Sequence, residues 1–173
     1  MKRFMKRFIA TIICCLMIFP VKGQIRHTQI RISYDAKQLS ITNNTIQSEL
    51  ENVIFENADT VRSRYLNEYK YFHLYVEEHA DYQEFLFRLS NWPENISNDV
   101  IGYFVLRDHL VFVHQVLPDF LEYGGGKKRF TYERVKIGHL YLDPEDDTPL
   151  WIFEYRDSQL KLTHYPGMYA RSR

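Results

Sequence analysis

Cysteine is almost missing from this chain. Cys14 and Cys15 are its only two, adjacent in an apolar N-terminal run, so the residues beyond that run can build no disulfide framework, thiol nucleophile or zinc–cysteine centre. A second long apolar stretch is also lacking, and with it any further candidate for a membrane-spanning helix. No G-x-S-x-G occurs, and no serine stands beside a histidine and an acid in a recognisable catalytic frame. A basic excess is absent too, which argues against nucleic-acid binding through phosphate neutralisation.

The start of the chain is different in character. Lys2, Arg3, Lys6 and Arg7 precede an apolar run from Phe8 to Phe19 broken by Thr11, which suits a signal core of ~7–15 residues and is short of the ~20 a span requires. Pro20 and the Val21-Lys22-Gly23 segment predict cleavage before Gln24, leaving residues 24–173 as one domain. The cysteines sit inside the apolar run rather than after it, which disfavours lipidation. Removing residues 1–23 takes away Lys2, Arg3, Lys6, Arg7 and Lys22 and no acid, so the balanced 22 basic and 22 acidic residues become an acidic surplus. The expectation is a periplasmic or secreted bacterial protein with no membrane span after cleavage.

Beyond the leader, runs of β-branched and aromatic residues alternate with turn residues. They are 69–77, 84–90, 101–107, 109–115, 150–156 and 159–165. Pro93, Pro118, Pro144, Pro149 and Pro166 all fall outside them, as strands require. The very short links at Arg107-Asp108 and at Arg156-Asp157-Ser158 predict antiparallel hairpins, and 31–41 reads as another. Apolar residues of both parities in 101–115 place that hairpin mid-sheet, covered on both sides. Ile46, Leu50, Val53, Ile54, Val61 and Tyr65 recur at helical spacing, with Asn44 and Gln47 as cap and partner, predicting one helix over about 46–57 with room to resume to 66. The competing reading makes "NVIFEN" a short strand. The fold expected is α+β: a mainly antiparallel hairpin meander over 69–165 with one N-terminal helix packed on it. A small all-β barrel is the alternative.

"HLYVEEH" (73–79) looks like a metal motif, yet its geometry fails. On a strand His73 and His79 stand about 20 Å apart, and on a helix they point about 240° apart. The inverted zinc motif H-x-x-E-H would need histidine where Tyr75 stands. Parity instead puts Tyr71, His73, Tyr75 and Glu77 on one outward strand face that is open to a partner. Gly124, Gly125 and Gly126 beside Lys127, Lys128 and Arg129 can hold an anion through free amides and cations, although the P-loop frame is broken and a solvated hairpin loop is the plainer reading. The acidic turn 143–149 lacks the glycine and terminal glutamate of a calcium loop. Asn43 and Asn95 fit N-x-[ST], and Thr60 in "DTV" fits a bacterial O-glycosylation acceptor. The seven histidines are scattered, and a histidine-dependent enzyme would need three histidines or carboxylates brought together in space.

No cofactor is called for. The expected function is that of a protein-binding module of the bacterial cell envelope, with another protein as partner. Alternatives are an immunity or inhibitor protein against a secreted toxin or envelope hydrolase, and a carrier of a small lipid or glycan.

Overall fold

The computed structural model describes residues 27–94, 98–137, 140–141 and 149–164. The leader, its cleavage point, the Asn95 acceptor, His139 and the acidic residues of 143–148 lie outside the described residues. In chain order the elements are β1 (His27–Ile41), α1 (Asn44–Glu51) running into a π-helical turn (Asn52–Glu56), α2 (Thr60–Glu68), β2 (Tyr71–Glu78), β3 (Gln83–Ser90), β4 (Val100–Leu106), β5 (His109–His114), β6 (Leu121–Ile137), β7 (Leu140–Tyr141), β8 (Leu150–Arg156) and β9 (Gln159–His164). The strands form one open sheet in the order β7-β6-β1-β4-β5-β2-β3-β8-β9. It does not close, so the barrel alternative is set aside.

The sheet is mostly antiparallel, but it is not a plain meander. β1 runs parallel to β4, and β2 runs parallel to β5. Both contacts join strands separated by other elements, which no hairpin signal can reveal. The predicted hairpins do form, as β4–β5 and β8–β9. In the second, Asp157 and Ser158 both adopt positive φ, 51° and 61°, the handedness a two-residue turn needs to match strand twist. β4 and β5 lie centrally, as their two-sided apolarity requires.

Two short helices stand where one N-terminal helix was expected, the second in the stretch to 66 where that helix had room to resume. α1 is capped by Asn43, not Asn44: the Asn43 side chain accepts from Thr45 N at 2.9 Å and Ile46 N at 3.4 Å. The stretch that also read as a strand is the π-helical turn. Asp59 then caps α2, accepting from Arg62 N at 2.9 Å. Ile46, Leu50 and Ile54 are fully buried against Phe72, Leu74, Phe85, Phe87, Val111, Val113, Trp151 and Phe153. This is the main core, on one face of the sheet.

The segment 31–41 is no hairpin. It lies within a single strand, β1, paired along its length with β6. Its polar residues mark strand alternation: Arg31, Ser33, Asp35 and Lys37 are exposed while Ile32, Tyr34 and Ala36 turn inward. The glycine loop is likewise absent. Gly124, Gly125 and Gly126 lie inside β6, where the register jumps from Lys37↔Lys127 to Leu39↔Tyr123 and Gln38 alone faces the three glycines. A Cβ on Gly126 would come within 2.7 Å of Gln38 Oε1, and one on Gly124 within 3.2 Å of the Gln38 carbonyl. Glycine here permits a bulge and a bend.

That bend reshapes the molecule. Phe130 on β6 and Phe112 on β5 are separated by three strand spacings, about 14 Å in a flat sheet, yet their ring centroids are 4.7 Å apart. The outer half of the β1–β6 ribbon therefore folds across the sheet's second face. Ala36, Tyr103, Phe112 and Phe130 form a smaller core beneath it, with Tyr34, Tyr71, Val100 and Leu110 packed around. Leu39, past the bulge, belongs to the main core instead.

Candidate functional site

On this second face the "HLYVEEH" segment divides. His73 is 5% exposed, so it is not part of an outward face as parity alone implied. The parity itself is right, since His73 opposes the main core. What the sequence did not disclose is that the folded ribbon and the turn after β3 cover this part of the face. Tyr71 and Tyr75 are half-buried, and Glu77 remains exposed.

The parallel register sets Tyr75 beside His114 and His73 beside Phe112. Within it the two imidazoles meet: His73 Nδ1 is 2.8 Å from His114 Nε2. His114 Nδ1 lies 2.7 Å from Asp99 Oδ1, and Gln115 Nε2 donates to Asp99 Oδ2 at 3.1 Å. The outer nitrogen of His73 faces the Trp92 carbonyl at 2.9 Å. Tyr75 stacks on the His114 ring at 4.4 Å, and Phe112 stacks on His73 at 5.6 Å.

Burial lowers the affinity of both rings for a proton. It pushes His73 down to about 4, opposed by its bond to the Trp92 carbonyl and by Asp99, and reinforced by the charges of His114 and Arg88. His114 is lowered for the same reason, against the bond and charge of Asp99. Above the pair, Tyr34 donates its hydroxyl to the Pro93 carbonyl at 2.8 Å. Burial first, then the neighbouring phenols Tyr132 and Tyr71, raises the Tyr34 pKa and keeps it a donor. Glu94 and Arg134 are buried nearby, 4.0 Å apart. His109 points to the opposite face, its Nε2 2.9 Å from the Leu66 carbonyl, so among the described residues the groups that converge here are two histidines and the carboxylate of Asp99.

The rest of the motif faces solvent. Glu77 lies directly across from Glu84, which lies directly across from Glu154, and Glu154 faces Lys161 on β9. One ligand atom each from Glu77, His79 and Glu84 fall within 4.8 Å of one another. The sequence hid this because Glu84 comes from the partner strand, and only the hairpin register reveals it. His79 stacks on Tyr82 at 4.3 Å, beside an open cleft of about 630 Å³ whose lining includes Glu78, Asp81, Asp119 and Asp157.

The other candidate residues stay apart from this centre. Lys127, Lys128 and Arg129 are exposed along β6, with Lys128 Nζ 5.3 Å from the Phe130 ring centroid. They oppose Lys37, Ala36 and Asp35 in the ladder, so the glycine amides belong to a strand bulge and not to a loop nest. Thr60 is exposed at the first position of α2, beside the capping Asp59. No family model, no curated protein and no solved structure matches the chain.

Proposed function

We propose that this chain is an exported protein-binding module of the bacterial cell envelope, and that it binds through the uncovered half of its second sheet face. One observation carries the reading. Tyr75, Leu86 and Ile152 sit side by side on β2, β3 and β8, partly exposed and belonging to neither core. The acidic row Glu77, Glu84 and Glu154 lies one step beyond them on the same face, and Trp92 leaves its side chain 44% exposed nearby in sequence to β3.

Like charges directly opposite on neighbouring strands destabilise a sheet. A row of them beside exposed apolar side chains suits a partner that brings an apolar patch edged by lysine or arginine. The acidic surplus left without residues 1–23 points the same way. Among the described residues no helix is long and apolar enough to cross a membrane.

The test places a photo-crosslinking residue at Leu86 and, as control, at Thr60 in the full chain expressed in a bacterial host. The expected outcome is export with loss of the leader and a discrete protein adduct from Leu86 alone, abolished by Glu84→Lys together with Glu154→Lys. Equal adducts from both positions, or none from Leu86, would sink the reading.

A further inference from the structure

Asp99, His114, His73 and the Trp92 carbonyl form a chain of three hydrogen bonds, and each bond requires one proton. The end bonds fix the tautomers. His73 Nε2 must donate, because a carbonyl can only accept, and His114 Nδ1 donates to the Asp99 carboxylate. Two neutral rings so arranged would leave bare lone pairs facing each other across 2.8 Å. A third proton in the central link removes that repulsion. The set of one carboxylate, two imidazoles and three protons is then electrically neutral, which is what a buried site favours.

We propose that Asp99, His114 and His73 bind protons as a single unit, and that the proton shared by the two imidazoles latches the Trp92 turn onto the sheet. The unit deepens no partner reading and stands independently of the proposed function. Loss of the shared proton to solvent leaves two protons for three bonds. If His73 then turns to donate from Nδ1 to His114, a lone pair faces the Trp92 carbonyl, which among the described residues keeps the Ser90 hydroxyl at 3.2 Å. The turn is loosened by either arrangement.

The groups around the unit support this balance. Asp99 favours a proton on each ring, against burial, the larger effect on both, and against Arg88 on His73; the shared proton rests on geometry, two nitrogens 2.8 Å apart whose rings already donate outwards. Gln115 fills the second oxygen of Asp99. Glu94 is matched by Arg134 from β6, and the phenols of Tyr34 and Tyr75 are raised by burial and stay neutral. Two ring nitrogens whose outer partners are already engaged fall short of the three protein ligands a zinc site uses.

The experiment is nitrogen NMR on the full chain with labelled histidine, combined with tryptophan fluorescence. At pH 7 the expected spectrum shows one proton coupled to both His73 Nδ1 and His114 Nε2. On raising the pH its loss should coincide with a change in Trp92 emission, isolated by subtracting a Trp92→Phe variant, while buried Trp151 reports an unchanged core. Asp99→Asn keeps the side-chain shape and removes the charge, so the same transition should move at least one pH unit lower, a tenfold weaker hold. A link without a proton at pH 7, a Trp92 signal indifferent to its loss, or an unmoved midpoint in folded Asp99→Asn would each overturn the proposal.

Discussion

The two faces of the sheet solve burial in different ways. Under the helices, Phe72, Phe85, Phe87, Trp151 and Phe153 pack with Ile46, Leu50 and Ile54, all fully buried, and apolar packing dominates, with His109 the buried polar side chain on that side, bonded to the Leu66 carbonyl. Under the folded ribbon, aromatic rings share the space with His73, His114, Glu94 and Arg134, and each polar group there has hydrogen-bond or charge partners. The first face resists changes of volume; the second is sensitive to changes of proton count. The lesson is that one sheet can carry a stabilising side and a responsive side with only a strand's alternation between them.

The contrast can be tested by stability measurements. Phe87→Ala should cost the most, about 3–5 kcal/mol in urea unfolding, because it opens a cavity in the main core. A loss below about 1 kcal/mol would mean that this face is not close-packed.

A smaller effect is expected from acid. Free histidine titrates near 6.5, and His73 is pushed down to about 4 in the folded chain. The unfolded chain therefore binds more protons between these values, so stability falls as the pH drops from about 6.5 towards 4, separately from the loosening of the Trp92 turn when the shared proton is lost at higher pH. Replacing both His73 and His114 by glutamine should remove this dependence. The stability advantage of the wild type over that double variant should narrow on acidification, and a constant gap would contradict the assignment. Tyr34→Phe comes last: it deletes the hydrogen bond to the Pro93 carbonyl, with an expected loss of about 1 kcal/mol and no change in the main core, checked by the emission of Trp151.

Much of the first face was legible in the sequence. The strand runs, the central place of 101–115 and the helical spacing of Ile46, Leu50 and Ile54 are local signals, and they reappear in the structure. The second face was not legible. Asp35 and Lys37 look like turn residues until one sees that they alternate with Tyr34 and Ala36. The three glycines look like a loop until Gln38 is found opposite them in the ladder. His73 and His114 meet only through the parallel pairing of β2 with β5, and Glu77 meets Glu84 only through the register of a hairpin. Each of these depends on which strands become neighbours, which periodicity within one segment does not encode.

The β1–β6 ribbon has a consequence for how the chain folds. Its partners are far apart in sequence: Ser33 and Thr131, whose hydroxyls are 2.9 Å apart, are separated by 98 positions. Closing so long a loop before the contact can form is slow. β1 is the first described strand to be made and the one that waits longest for its mate. Until β6 arrives, the side of β1 that faces away from β4 is an unpaired edge of the kind other chains can join, so the ribbon is a point at which aggregation competes with folding.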